Sequence, residues 1–191
     1  HIHQLHIHRL SAILVFILLL FGLVYGNRLM DVAESGLFAD KVIYSTSTPY
    51  QRIVLTKAPH DLRLFLNNNL QFSTRDEYRY HEALVHPGLA SLPSPKHVLI
   101  LGGGDGLAAR EILKYPSVES VTLVDLDPAM TRLFSSNELL TSLNENALTS
   151  PKMHLVNGDA FLWLKAYVAD ANHVPFDFVV VDFPDPSNYS I

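Results

Sequence analysis

Carboxylates recur just past short apolar runs in the second half of this chain, and one of those runs breaks into glycine. Val98–Leu101 leads into Gly102-Gly103-Gly104-Asp105-Gly106. Glycine at such a turn lets a ligand approach the backbone closely, and it tolerates positive φ. That makes Gly102, Gly104 and Asp105 candidate ligand contacts. The stretch Leu107–Lys114 then opens a helix, whose N-terminal amides favour a polar or anionic group. Asp125, in Val124-Asp125-Leu126-Asp127, falls about 20 residues beyond the first glycine, where an acid commonly holds ribose hydroxyls. The turn lacks the full G-x-G-x-x-G pattern, with Ala109 where the last glycine would fall counting from Gly104, which weakens a dinucleotide reading. Asn157-Gly158-Asp159 places an acid that can accept from an adenine amino group, or equally a turn and helix N-cap before Ala160. Asp182-Phe183-Pro184-Asp185-Pro186 puts two more carboxylates past the apolar run Phe178–Val181. Ligands of open α/β sheets bind at this carboxyl edge.

The elements that must position these residues alternate. Strands are predicted at His97, Ser120–Val124, His154–Val156 and Phe178–Val181, with helices over Leu107–Lys114, Pro128–Leu133 and Ala160–Val168. Alternation with apolar strands predicts an α/β fold, a parallel sheet covered on both faces with Phe178–Val181 as a central strand. Upstream, Glu77–Leu92 reads as a helix closed by Pro93–Pro95. Lys41–Ser45, Gln51–Thr56 and Asp61–Leu66 are short and β-prone, separated by Ala58-Pro59-His60 and Asn67–Asn69, and predict a small antiparallel sheet. Leu10–Tyr25 carries no charge. It approaches the length of a bilayer core and lacks the polar stripe of a buried soluble helix, so a membrane helix is expected. The chain thus divides into an apolar helix (1–28), a polar linker (29–41), a small β-domain (42–77) and a Rossmann-like nucleotide-binding unit (78–191).

Composition narrows the function classes. Hydrophobic residues make up 48% and charged ones 17%, an apolar balance for a soluble protein. Cysteine is absent, which excludes disulfides and thiolate metal sites. A formal charge of −5 argues against a nucleic-acid surface and suits a small cationic substrate. His1, His3, His6 and His8 have no acidic ligand beside them and read as a solvated flank rather than a metal site. A chain opening on histidine is expected to be part of a longer one.

Taken together, Tyr50-Gln51, Asp76-Glu77 with Tyr80-His81-Glu82, Gly102–Gly106, Asn157-Gly158-Asp159 and Asp182–Pro186 resemble the spermidine synthase, or polyamine aminopropyltransferase, family. The likeness runs from about Val42 onward, and the apolar segment ahead of it is similar to the membrane-anchored bacterial branch. The resemblance implies a small β-domain before a methyltransferase-type Rossmann-like sheet, incomplete here at its C-terminal end. It implies decarboxylated S-adenosylmethionine as co-substrate, a polyamine acceptor such as putrescine, and spermidine and methylthioadenosine as products, with no prosthetic group and no metal. Gln51, His81 and Asp105 would contact the aminopropyl-sulfonium side of the donor, Asp125 its ribose and Asp159, beside Gly158, its adenine. Tyr80 and Asp185 would hold the amine, Gln71 matches a glutamine near the site, and Asp182 would be the catalytic base. One departure stands out: Asn67-Asn68 replaces the usual Asp-Gly hairpin. The expected setting is the inner membrane with the catalytic domain cytoplasmic, where polyamines are, with room for a homo-oligomer. The stretch ending at Ile191 is expected to be inactive alone, with an unpaired sheet edge.

This chemistry suits the residue types. The donor is a sulfonium and the acceptor an ammonium with a pKa near ~10, so carboxylates attract both. One carboxylate must take a proton before nitrogen can attack carbon. The leaving thioether is neutral, so no oxyanion hole is required. Two other functions use the same nucleotide fold: methyl transfer from S-adenosylmethionine, and non-catalytic nucleoside binding at a membrane. Neither calls for Tyr80-His81-Glu82 together with the paired carboxylates.

Overall fold

The computed structural model describes residues 2–36 and 38–184. The first element, α1 (Ile2–Ser35), is one continuous helix. It holds the apolar stretch His8–Gly26, long and apolar enough to cross a membrane and with none of that stretch buried. The helix runs on through Asp31–Ser35, which the sequence suggested was linker. Those residues contain neither glycine nor proline, and the helix stops only where Gly36 follows.

A four-stranded antiparallel sheet comes next, in the order β1 (Lys41–Ser47), β2 (Arg52–Ala58), β3 (Asp61–Leu66) and β4 (Asn69–Ser73). The fourth strand was not foreseen, because five residues between an asparagine turn and Ser73-Thr74 leave little period to read. Asn67 and Asn68 close the β3–β4 hairpin at φ 49° and 66°. Positive φ at both central residues is what a two-residue hairpin needs, and asparagine tolerates it.

Helix α2 (Glu77–Leu89) then leads into the parallel sheet. Its chain order is β5 (His97–Gly102), α3 (Leu107–Leu113), β6 (Ser120–Asp125), α4 (Pro128–Ser136), α5 (Glu138–Leu143), β7 (Met153–Asn157), α6 (Ala160–Ala169) and β8 (Phe178–Asp182). The strands lie in the order β7-β6-β5-β8, all parallel. The short α5 between β6 and β7 was not read from the sequence. Among the described residues β8 is an edge strand, where its apolar run suggested a central one.

Alternation along β5 sends Val98 and Ile100 to one face and Leu99 and Leu101 to the other. The first face carries the main core, which is continuous from Ile53, Leu64 and Phe72 of the small sheet to Leu107, Ile112 and Phe134. Phe72 and Phe134 meet edge-on at 6.1 Å. The small sheet is therefore packed into the same core as the parallel one. The second face is thinner: Leu99, Leu101 and Val124 lie under α6 with Trp163 and Phe176. Val179 and Val181 remain 48% and 53% exposed, so the expected cover on both faces falls short along β8.

A shared core has a measurable consequence. Phe72→Ala should lower stability by about 3–5 kcal/mol, the usual loss for a buried phenylalanine. The same shift should appear in Trp163 fluorescence on the far side of the parallel sheet during urea unfolding. An unmoved Trp163 transition would mean the small sheet folds on its own.

Candidate functional site

The glycine turn beyond β5 is shaped by the protein's own carboxylates. Gly102 and Gly103 have φ of +84° and +66°. Gly102 sits in register with Asp182 on β8, and the Gly103 amide donates to the Asp182 carbonyl at 3.0 Å. A Cβ on Gly102 would lie 2.2 Å from that carbonyl oxygen. Glycine is thus required both by conformation and by the approach of the neighbouring strand. The Gly104 amide donates to Asp125 Oδ2 at 3.0 Å, and a Cβ there would meet the same oxygen at 2.6 Å. Asp125 Oδ1 accepts from the Asp127 amide at 2.8 Å. Burial nevertheless raises the Asp125 carboxyl above its ordinary value, with the Asp127 and Asp182 charges adding to the rise.

Three titratable groups converge beside this turn. His81, Asp105 and Asp182 each place one atom within 4.8 Å of the others, near enough to surround a single positive charge. Tyr80 Oη donates to Asp182 Oδ1 at 2.9 Å. Burial and the nearby Asp105 charge push the Asp182 carboxyl up to about 6, while His81 and Tyr80 restrain the rise. Asp105 is also raised, chiefly by burial. Its Oδ1 accepts from the Leu107 amide at 2.9 Å, and Asn144 Nδ2 fixes its loop by donating to the Asp105 carbonyl at 2.9 Å. For His81 burial works against the imidazolium, but the Glu77 hydrogen bond and the Asp105 and Asp182 charges outweigh it and raise the pKa.

Gln71 faces, with Asp76, Tyr80 and His81, a cavity of about 280 Å³. Its amide donates to the Asn69 carbonyl at 3.3 Å. Gln51 is engaged elsewhere: its Nε2 donates to Asp127 Oδ2 at 3.0 Å, and Thr48 Oγ1 donates to the same oxygen at 2.8 Å. Those bonds tie the β1–β2 loop to the end of β6. Asp159 caps α6, its Oδ1 accepting from the Phe161 and Leu162 amides at 2.8 and 3.0 Å. The Gly158 amide donates to the Asp125 carbonyl at 2.9 Å, with open space where its Cβ would be. Asp185 lies outside the described residues.

The sequence left the support behind His81 unread. Arg110 on α3 grips Glu77 with both Nη atoms at 2.9 and 3.0 Å, and Glu77 Oε2 accepts from His81 Nδ1 at 2.9 Å. Glu111 takes Arg110 Nε at 2.8 Å, His86 Nε2 at 3.0 Å and Lys114 Nζ at 2.6 Å. A signal was present: Arg110-Glu111 interrupts an otherwise apolar Leu107–Leu113, and charges so placed are buried only when paired.

Residues 77–190 match the family described as the spermine/spermidine synthase domain. The chain is 52% identical over 183 residues to a polyamine aminopropyltransferase of Leptospira interrogans, covering 96% of this chain and 36% of that protein. It is 57% identical over 173 residues to polyamine aminopropyltransferase 2 of Ralstonia nicotianae, covering 91% and 33% respectively. Among solved structures, a spermidine synthase in complex with the transition-state analogue AdoDATO is similar, with a TM-score of 0.69 and 30% identity over 78% of this chain and 49% of that one. The chain spans about a third of the length of these two curated relatives.

The raised carboxyl fixes the sign of a pH effect. Asp182 titrates near 6 in the folded chain, against 3.8 for an ordinary aspartate. The folded state therefore binds this proton more tightly than the unfolded one, and ionisation weakens the fold as pH rises from about 4 through 6. Asp182→Asn should raise the thermal midpoint at pH 7 and leave it nearly unchanged at pH 4. Equal effects at both pH values would show that Asp182 ionises as freely as an exposed aspartate.

Proposed function

The chain belongs to the spermine/spermidine synthase family, and on that premise we propose that it forms the donor-binding part of a polyamine aminopropyltransferase. The donor is decarboxylated S-adenosylmethionine, and the acceptor a polyamine such as putrescine, giving spermidine and methylthioadenosine. The observation that carries this reading is the convergence of Asp182, Asp105, His81 and Tyr80 beside the glycine turn. It supplies negative charge for two cationic reactants and a carboxylate poised near neutral pH. The names of the relatives, and the analogue held by the similar solved structure, support the same reaction.

In this mechanism Asp125 holds the ribose and Asp159 reads the adenine, with Gly102, Gly104 and Gly158 keeping the approach open. Asp105 and His81 border the aminopropyl chain next to the sulfonium. Gln51, now bonded to Asp127, reaches the donor once it is seated. Tyr80 and Asp185 steady the amine, with Gln71 on the wall of the adjoining cavity. The amine gives up a proton to Asp182 and attacks the carbon beside sulfur. The nitrogen–carbon bond forms as the carbon–sulfur bond breaks, and sulfur keeps the electron pair as a neutral thioether. Holding nitrogen and carbon in line supplies a large share of the acceleration.

We also infer that α1 anchors the protein in the inner membrane with the catalytic part on the cytoplasmic side. The support is its exposed apolar run His8–Gly26, about 28 Å long at 1.5 Å per residue, close to the ~30 Å of a hydrocarbon core. Removing residues 1–27 should move the protein from the detergent phase to the aqueous phase. Solubility that is the same with and without them would rule the anchor out.

The catalytic assignment is tested in the intact natural protein. Asp182→Asn keeps the shape but cannot take the proton, so turnover should fall roughly 10²–10⁴-fold while methylthioadenosine binding persists. Asp185→Asn should act mainly by raising the amine's KM, since it removes attraction present before and during reaction. Near-normal kcat in Asp182→Asn would end the base assignment.

A further inference from the structure

We infer that Glu77 and Arg110 are positioning residues for His81, holding its imidazole as the counter-charge that lets Asp105 and Asp182 stay open to a cation. The inference rests on the proposed transfer reaction for its catalytic consequence, though not for its geometry.

The chain of contacts is short and buried. Glu77, His81 and Arg110 are 7%, 4% and 8% exposed. Arg110 donates from Nη1 to Glu77 Oε1 at 2.9 Å and from Nη2 to Oε2 at 3.0 Å. Such a fork fixes the plane of the carboxylate as well as its place. Arg110 is itself held, through Nε to Glu111 Oε1 at 2.8 Å and through Nη1 to the Leu143 carbonyl at 2.9 Å. The fixed Glu77 presents both Oε2 and its own carbonyl to His81 Nδ1, each at 2.9 Å. Both are acceptors, so Nδ1 carries the hydrogen. Nε2 is then the ring nitrogen left for Asp105 and Asp182.

An ion pair that merely tied α2 to α3 would be complete with Glu77 and Arg110 alone. Here the carboxylate is shared with a titratable ring that faces two other carboxylates within 4.8 Å. Like charges so close do not both ionise without help. If the ring were neutral, one carboxyl would keep its proton, and a single carboxylate would have to serve both as the charge facing a cation and as the base. With the ring charged, the net charge of the three groups is the same, but both carboxylates are ionised and Asp182 can accept a proton while Asp105 faces the cation. The groups facing His81 are Glu77 and Tyr80 from its own helix, Asp105 from the glycine turn and Asp182 from β8, with Arg110 of α3 acting through Glu77.

The test is Glu77→Gln with Arg110→Gln in the intact protein, a pair that removes both charges together and leaves Glu111 still bonded to Lys114 and His86. Circular dichroism establishes that the variant is folded. The first readout is the titration of the His81 ring, followed by NMR on histidine-labelled protein without substrate and assigned by the signal lost in His81→Gln. Its midpoint should fall by about one pH unit or more, the scale on which a nearby opposite charge acts. The second is the acid limb of kcat/KM for aminopropyl transfer, which should move up by about one unit. Should the double variant fail to fold, Arg110→Lys keeps the charge but loses the fork, and it should move both readouts in the same directions by less. A folded variant whose ring midpoint and acid limb match the parent would overturn the proposal and leave Glu77 and Arg110 as a helix tie. If the parent protein itself shows no aminopropyl transfer, the functional reading fails, and the ring titration still decides the role of Glu77 and Arg110.

Discussion

Two carboxylates, Asp105 and Asp182, share one small space beyond adjacent strand positions, and that crowding constrains the rest of the site. It arises because Gly102 pairs with Asp182 while the chain turns back at positive φ. Any side chain at Gly102 would push the strands apart. Once the two acids are held together, their charges must be met by something. Tyr80 offers a hydroxyl and His81 a ring, from successive positions of α2. Helix α2 is in turn tied to α3 by the Arg110–Glu77 fork and packed through Val85 and Leu89. The site is thus assembled from a backbone constraint outward, through electrostatic compensation, to a helix packing interaction.

The small antiparallel sheet enters the same scheme as a wall. Its Ile53, Leu64 and Phe72 belong to the core beneath the parallel sheet, so it cannot swing without disturbing Phe134. Thr48 and Gln51 add a polar tie to Asp127, which also caps α4 through the Ala129 amide at 2.9 Å. Asp127 therefore joins three elements at the end of β6, next to the proposed ribose acid. On the proposed reading, a donor arriving at Asp125 would compete for Gln51 and so sense the placement of the β1–β2 loop.

How much was legible in the sequence follows from how local each signal is. The glycine turn, Asp125 and Asp182 stand at the ends of apolar runs, so a few neighbouring residues announce them. Strands β5 to β8 were readable for the same reason, to within a residue or so at each end. The Tyr80 bond to Asp182 joins residues 102 apart, and the Arg110 bond to Glu77 joins residues 33 apart. No local pattern encodes such pairs; only the charged residues in an apolar helix hint that partners exist. Strand β4 and helix α5 were missed because each is too short to show a period. The half-covered face of β8 was misjudged because an apolar run looks the same whether or not a neighbour buries it. Asp159 illustrates the reverse limit, since a helix cap and a ligand contact call for the same residue in the same place.

On the proposed reading, charge is one means by which this site would tell two related donors apart. S-adenosylmethionine and its decarboxylated form share the nucleoside and the sulfonium, and they differ by one carboxylate on the chain that would lie beside Asp105 and Asp182. A third anion about 4 Å from either carboxylate is disfavoured by about 4 kcal/mol at an effective dielectric near ~20. Each ~1.4 kcal/mol is a factor of ten in affinity, so one such contact separates the donors strongly. The imidazolium of His81 works against this preference, because it attracts the very carboxylate the two acids repel. The balance holds only while two acids face one ring, which is the count that the glycine turn, α2 and β8 bring together. Losing either acid would leave His81 and the remaining carboxylate neutral as a pair, and the site would then have no electrostatic reason to prefer the decarboxylated donor.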